Sequence, residues 1–432
     1  MWKCYPFTFL RHRVLFSSNV FHSLMGTRAE VTKILMNSLS SKTTRTVSHE
    51  DAFNPRKVLI LSKTSRLEFE KRGHPNWDDD QLFTFLKERG SDVDRLRERH
   101  NSHYSYLKEI QSQLSSAGIE TRTVHREDYT MEAIRWADAI FSAGGDGTFL
   151  RAASCVRDRN KPVIGINTDP EGSEGCLCLT KKQSRETFET SLRKMLNGEF
   201  EWLYRQRIRI SLTGATSRTE RIIVDAGLVP NRIHEPSFET DVDLEISERG
   251  DISDSESRLP ELALNEIFIG ESVASRVSYY EVQFDKMQPV RQKSSGITVC
   301  TGSGSTSWYY NTSRTTKKNV SKLMEIVSSQ LSIELPFKDD GFVGRICDEF
   351  NNSLIFPPDC PVMAYSIRDP IFNNTFPSVE TRGFISTVKI RSRCYDAYLV
   401  IDGVVAYRFN DGTGVHLSMH SEDALKTIRL SS

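Results

Sequence analysis

The sequence predicts two folded parts: an α/β domain built on a parallel sheet, then a β-rich, sandwich-like domain. Three observations carry this reading. Between Lys57 and Gly198, short apolar runs alternate with stretches of helical periodicity. From residue 205 onward the apolar runs are mostly strand-length and punctuated by turn residues. The first 48 residues have a composition that belongs to neither part.

The leader, residues 1–48, holds seven Lys/Arg, one acid (Glu30) and thirteen Ser/Thr. Arginine-bearing, hydroxyl-rich and acid-poor segments have the composition of mitochondrial transit peptides. Arg11-His12-Arg13 interrupts the apolar core that a secretory signal would need. The alternative is a merely disordered terminus, and either way residues 1–48 stand outside the fold. The ordered chain then divides into an α/β domain over 49–204 and a β-rich domain over 205–432.

Lys57 to Leu61 reads as a buried parallel strand. Asp78-Asp79-Asp80 opens an amphipathic segment, and from Val93 the positions Leu96, Tyr104, Leu107, Ile110 and Leu114 fall near helical spacing, with Gly118 as the stop. Ile119–Val124 is expected as a strand, Met131–Asp138 as a short helix and Ala139–Ala143 as a third strand. A turn at 144–148, a helix over Phe149–Val156, a strand over Pro162–Asn167 and a helix near Arg185–Leu196 complete the first part. Thereafter strands are expected at 208–212, 221–224, 262–269, 277–284, 296–300, 385–391 and 397–401. One helix places Val320, Leu323, Val327 and Leu331 on a single face. Residues 239–256 hold eight acids and one base, Arg249, so the segment reads as a solvated loop.

The 432 residues carry 57 Lys+Arg against 57 Asp+Glu. Without the leader the balance is 50 against 56, a net of −6, which speaks against a nucleic-acid partner. No run approaches the roughly 18 apolar residues of a membrane span. The eight cysteines and ten histidines show no metal-ligand spacing and read as a reduced, non-disulfide set.

The most informative stretch runs from Ala139 to Leu150, where an apolar strand meets Gly144-Gly145-Asp146-Gly147-Thr148 and a helix follows. Glycines let backbone N–H groups approach a phosphate chain, and the helix points its positive end at the same place. Thr148 is expected to cap that helix or touch a phosphate. A carboxylate beside such a cradle suits proton transfer, so Asp146 reads as the base of a phosphotransferase. The competing reading is a tight Asp-Gly turn with Thr148 as an ordinary cap. No Gly-Lys-Ser/Thr follows, so this is not a P-loop. In isolation, Asn265-Glu266 would be a polar step ending a strand, and Thr301–Ser307 a flexible loop. Arg205, Arg207 and Arg209 alternate as an exposed strand face does, a phosphate clamp being the lesser reading. Asp402-Gly403 reads first as a hairpin turn.

Gly144–Thr148 resembles the turn shared by NAD kinases, diacylglycerol-type lipid kinases and phosphofructokinases. Asn265-Glu266 and the segment Thr298 to Trp308 resemble the NAD-kinase Asn-Glu and Gly-Ser-Thr motifs, in the expected order. Asn167-Thr168-Asp169-Pro170-Glu171 with Ser173-Glu174-Gly175, the run Trp202–Arg209 and Arg391–Cys394 resemble the mitochondrial branch of that family. The resemblance covers nearly everything from Lys57 onward. It implies transfer of the ATP γ-phosphoryl group to the adenosine-ribose 2′-hydroxyl of NAD, giving NADP, with Asp146 as base and Mg²⁺ arriving with ATP. It further implies nucleotide contacts from Gly144, Gly145, Gly147, Thr148, Asn167, Asn265, Glu266, Ser303, Gly304, Ser305, Thr306, Ser307 and Trp308, no resident metal site, a homodimer, and a place in the mitochondrial matrix. The rivals are a lipid kinase, for which the expected Gly-Thr-x-Asn-Asp segment is missing, and a non-catalytic NAD-binding regulator, for which Asp146 would be superfluous. The sequence also departs from the family: a lengthened loop puts Cys178 and Leu179 at its usual Gly-Phe positions, Ser295 precedes Gly296 where many members have Asp, and Trp308 stands for Tyr.

Overall fold

The computed structural model describes residues 52–179, 187–214, 221–223 and 257–430. The leader 1–48 and the acidic segment 239–256 lie outside the described residues.

The first part is a four-stranded parallel sheet of β1 (Lys57–Ser62), β2 (Glu120–Val124), β3 (Ala139–Ala143) and β4 (Val163–Ile166), in the order β2-β1-β3-β4. Successive side chains of a strand point to opposite faces, so the apolar run of β1 feeds two layers. Val58 and Ile60 join Leu107, Ile110, Phe188 and Leu192 on one face, while Leu59 and Leu61 join Ala133, Ile134, Phe149 and Ala152 on the other. The helices are α1 (Arg66–Gly73), α2 (Asp79–Glu88), α3 (Val93–Ser116), α4 (Met131–Trp136), α5 (Asp146–Cys155) and α6 (Phe188–Leu196). Their starts follow side-chain caps: Ser65 for α1, a reciprocal Asp78/Gln81 pair for α2, Asp92 for α3, Thr130 for α4 and Thr187 for α6. Gly118, with φ of 74°, turns the chain out of α3 as expected.

The second part comprises β5 (Phe200–Arg205), β6 (Ile208–Thr213), β7 (Arg221–Ile223), β8 (Ser257–Ala263), β9 (Glu266–Glu271), β10 (Ser278–Phe284), β11 (Val290–Ser294) and β12 (Gly296–Cys300). After α7 (Trp308–Ser313), α8 (Lys317–Leu331) and α9 (Asp340–Asn352) come β13 (Met363–Arg368), β14 (Arg382–Ile385), β15 (Thr387–Ser392), β16 (Ala397–Ile401), β17 (Val405–Arg408), β18 (Gly414–Met419) and β19 (Leu425–Leu430). A six-stranded sheet, β11-β10-β15-β18-β6-β8, faces a seven-stranded one, β14-β13-β12-β9-β16-β17-β7. Alternate residues of both sheets, among them Ile208, Ile210, Val282, Ile390, Ile267, Ile269, Val299 and Leu399, fill one core between them. This is the sandwich that the sequence predicts.

Two expected strands are each broken in two. The run 262–269 ends as β8 at Ala263 and resumes as β9 at Glu266, and 385–391 divides between β14 and β15. In both cases the chain passes from one sheet to the other. Hydrophobic alternation does not register such a corner, because both halves face the same core. Asp285 braces the second corner, accepting from the N–H groups of Ser386 and Thr387 at 2.9 and 2.8 Å.

The chain also returns to its beginning. β19 pairs with β5, and Ile428 packs in the same cluster as Phe53, Phe141 and Phe200. Arg207 is buried where the two parts meet, and its guanidinium donates to the carbonyls of Asp423, Ala153 and Val156. Two of those carbonyls lie at the C-terminal end of α5, where a cation is favoured. Arg209 donates to Asp423 and Glu422. The exposed-face reading of the arginine row is therefore wrong: the β5–β6 step turns its members into three environments. On α8 only Val320 is buried, whereas Leu323, Ile326, Val327 and Leu331 remain exposed.

Candidate active site

β3 delivers Gly144 to the carboxyl edge of the parallel sheet, where its N–H donates to Ile166 O at 2.9 Å. Gly145 is the N-cap of α5, in extended conformation and without any side-chain cap bond. The helix thus starts at Asp146, three residues earlier than expected, and Thr148 does not cap it. Thr148 instead lies inside the first turn and packs on Gly144, where an added Cβ would overlap its side chain. A Cβ on Gly145 would likewise strike Ser173, while one on Gly147 would meet nothing within 4 Å. The turn is therefore packed from behind and open at Gly147, leaving backbone approachable.

Asp146 is held in place by the lengthened loop. Its two carboxylate oxygens accept from the N–H groups of Cys176 at 3.1 Å and Leu177 at 2.8 Å. The loop keeps its shape through Asn167, which accepts from Asp169 N–H at 3.1 Å and donates to Ser173 O at 3.1 Å. Asn167, expected as a nucleotide contact, is thus a buried brace for the loop that orients Asp146. Cys178 is buried against Gly165, and that burial pushes its thiol up to about 12. Leu179 packs on the core beneath the sheet. The two departures from the family's Gly-Phe pair are packing residues here.

The second half of the site is the corner between β8 and β9. Leu264 packs in the cluster that holds Phe149 and Leu177, which sets Asn265 and Glu266 beside α5. Asp402, in the β16–β17 hairpin with φ of 49°, turns its carboxylate onto this corner. It accepts from the N–H groups of Leu264, Asn265 and Glu266 at 2.8, 2.8 and 3.0 Å. The hairpin expected at Asp402-Gly403 is present, and its carboxylate does work that no hairpin reading would assign. Among the described residues, Asn265 Oδ1 and Glu266 Oε2 are buried with no hydrogen-bond partner. A buried polar atom left unpaired costs about 1–3 kcal/mol, so two together mark a place prepared for a ligand. Burial, then the nearby Asp402, pushes Glu266 up to about 8. A protonated Glu266 both donates and accepts, as recognition of a ribose diol requires.

The Gly-Ser segment lies across this corner. Thr301 donates its N–H to Asn265 O at 2.9 Å and its hydroxyl to Leu264 O at 2.5 Å. Gly302 and Gly304 have no room for a side chain, being pressed on Pro357 and on the Asn265 backbone. Ser303 accepts from Arg205 at 3.1 Å. Ser305, by contrast, is fully buried and spends its hydroxyl on Gly302 O and Phe356 N–H. Thr306 is exposed, and the Ser307 N–H closes the turn on Gly304 O at 2.9 Å. Trp308 opens α7 with its ring 4.8 Å from that of Phe268.

The sequence gives no site role to Phe268 or Asp402, and for Arg205 only the lesser, phosphate-clamp reading. Phe268 shares the outer face of β9 with Glu266, opposite the buried Ile267 and Ile269, and period-two alternation alone would have found it. Asp402 carried no local signal beyond its turn. Arg205 links the two halves: it bonds Ser303, lies 5.9 Å from the Phe149 ring and senses the charge of Asp146. Burial, then Arg429, lowers it to about 10, and its Nε has no partner among the described residues.

Residues 79–200 match the family described as ATP-NAD kinase N-terminal domain. Over 384 residues the chain is 41% identical to NAD kinase 2, mitochondrial, of Rattus norvegicus, covering 88% of this chain and 89% of the relative. It belongs to the NAD kinase family. The human relative of the same name is 40% identical, with 88% and 86% covered, and that of Xenopus tropicalis 39%, with 88% and 92% covered. Within this NAD kinase chain, Leu264 packs with Phe149 and Leu177, which brings the corner that carries Asn265-Glu266 toward the helix that follows the glycine turn.

The raised Glu266 gives a pH dependence whose sign can be stated. A carboxyl whose folded-state value is lifted from 4.5 to about 8 contributes stability that is complete below the ordinary carboxylate range and lost as pH rises through about 8. The wild-type melting temperature should therefore fall between about pH 5 and 8 more steeply than that of Glu266→Gln. Parallel curves for the two proteins would show that Glu266 is ionised in the free enzyme.

Proposed function

We propose that the chain transfers the γ-phosphoryl group of ATP to the 2′-hydroxyl of the adenosine ribose of NAD, giving NADP and ADP. The observation that carries this is the Asp146 carboxylate, tethered by two backbone N–H groups beside the open Gly147. As the ribose oxygen attacks phosphorus, its proton passes to Asp146 and the bond from phosphorus to the bridging oxygen of ADP breaks. Gly144, Gly145, Gly147 and the first turn of α5 offer N–H groups to phosphate. Asn265 and Glu266 take the acceptor's hydroxyl and amide groups, and Ser303, Gly304, Ser307 and the Phe268–Trp308 pair line the same side. Arg205 supplies positive charge between the halves. Mg²⁺ belongs to the MgATP substrate, where it offsets phosphate charge.

Purified protein from residue 49 onward, given ATP, Mg²⁺ and NAD, should form NADP. Phosphorylation of diacylglycerol or a sphingoid base instead of NAD would overturn this reading, as would NAD binding without turnover. We further place the enzyme in the mitochondrial matrix, on the basis of the basic, hydroxyl-rich leader and the mitochondrial relatives. A reporter fused to residues 1–48 should enter mitochondria, and a diffuse cytosolic signal would reject that placement. A homodimer fits the exposed row Leu323, Ile326, Val327 and Leu331 on α8; light scattering at the mass of one chain would reject it.

A further inference from the structure

The corner Leu264-Asn265-Glu266 has six backbone polar groups, and two residues distant in the chain take all of them. Asp402 accepts the three N–H groups, and its own N–H donates to Glu266 O at 2.9 Å. Thr301 takes the other two carbonyls, that of Leu264 through its hydroxyl and that of Asn265 through its N–H. The same hydroxyl accepts from Gly304 N–H at 3.2 Å, which ties this frame to the Gly-Ser segment. The backbone of the corner is therefore saturated. The buried atoms Asn265 Oδ1 and Glu266 Oε2, by contrast, have no partner among the described residues. A rigid frame with unpaired side-chain ends is what a preorganised binding site requires, because the ordering cost is met on folding and not on binding.

A hairpin turn by itself needs no carboxylate, since asparagine or glycine would adopt the φ of 49° at this position as well. Burial lifts Asp402 to about 6, against the opposing pull of the three N–H groups and of Arg207. A carboxyl raised in the folded state costs stability once the pH exceeds that value. An uncharged turn residue would avoid this cost, so the carboxylate has a task at the corner.

We propose that Asp402 is the positioning residue of the acceptor site: it fixes the corner so that the side-chain ends of Asn265 and Glu266 meet the acceptor's hydroxyl and amide groups. The proposal rests on the acceptor reading above and adds how that pair is held and in which protonation state. Burial, then the charge of Asp402, lifts Glu266 to about 8. Between about pH 6 and 8, Asp402 is thus ionised while Glu266 keeps its proton and can donate to a hydroxyl oxygen. The other titratable groups in electrostatic range are Arg207, facing Asp402, and Cys300, facing Glu266, whose buried thiol stays neutral.

Asp402→Asn and Asp402→Gly both tolerate a φ of 49°, so neither strains the hairpin. The first keeps one acceptor oxygen and the second none. Asp402→Asn should raise KM for NAD by ~10-fold, the value of one charge-assisted hydrogen bond, and Asp402→Gly should raise it further. KM for ATP should stay within about twofold in both, because the frame touches only the acceptor side. Affinity for NAD should fall as pH rises through about 8 in the wild type. In Asp402→Asn it should fall at lower pH, since Glu266 has lost its negative neighbour. Two readouts need no substrate. Amide hydrogen exchange over residues 264–266 should quicken ~10-fold or more in both variants, and the Glu266 carboxyl, followed by ¹³C NMR, should titrate lower. Unchanged KM for NAD, an equal rise in KM for ATP, or an unmoved Glu266 titration would each overturn the positioning role. If the wild type itself makes no NADP, the acceptor reading fails, and exchange and titration still decide whether Asp402 holds the corner. Should Asp402→Gly fail to fold, Asp402→Asn, which keeps the turn and one acceptor, carries every arm of the test.

Discussion

Asp146→Asn should lower kcat by ~10²–10⁴ while nucleotide binding survives, because the amide keeps the size of the carboxylate but cannot take the proton of the attacking hydroxyl. The structure sharpens this expectation. Both Asp146 oxygens accept from backbone N–H groups, of Cys176 and Leu177. An amide has only one acceptor oxygen, so the substitution sets an NH₂ group against one of those N–H groups and loosens the loop as well. Asp146→Ala, which removes both contacts, should show the same loss of kcat and also a lower melting temperature. The measurement is steady-state NADP formation beside a binding titration. Turnover within threefold of the wild type for both variants would remove Asp146 from proton transfer.

Arg207→Met should cost ~3–5 kcal/mol of unfolding free energy, the range for stripping the partner from several buried polar groups. Three carbonyls, of Asp423, Ala153 and Val156, would be left facing an apolar side chain. They come from α5 and from the turn preceding β19, so the loss falls on the junction between the two parts. Arg207→Lys should recover only part of it, since an ammonium on a flexible stem cannot reproduce a planar fork that reaches three acceptors. Urea unfolding checks the size of the effect. A midpoint unchanged in Arg207→Met would mean that water replaces the guanidinium at no cost, and that the junction is held by β5–β19 pairing and apolar packing alone.

The glycine turn illustrates how far local sequence reaches. Its position at the end of an apolar strand, the following helix and the lone carboxylate were all readable, because each depends on neighbours in the chain. The start of α5 was misplaced by three residues, because a glycine can serve as N-cap without a side chain and Thr148 therefore had no capping role to fill. The strands around Asn265 were legible as apolar runs, but the corner that makes Asn265 and Glu266 useful was not.

Local chemistry along the chain determined the α/β start, the β-rich sequel, the phosphate turn, the helix caps and the candidate base. Contacts between residues far apart decided the rest. Asp402 reaches Leu264, Asn265 and Glu266 across more than 130 positions, at separations of 138, 137 and 136 residues. Arg207 meets Asp423 at a separation of 216, and Arg205 meets Ser303 at 98. Periodicity reports only which face of an element is apolar, and motif spacing reports only order along the chain. Whether a charged side chain is solvated, buried or turned toward a ligand depends on which distant backbone closes over it, and that is settled only when the sheets pack.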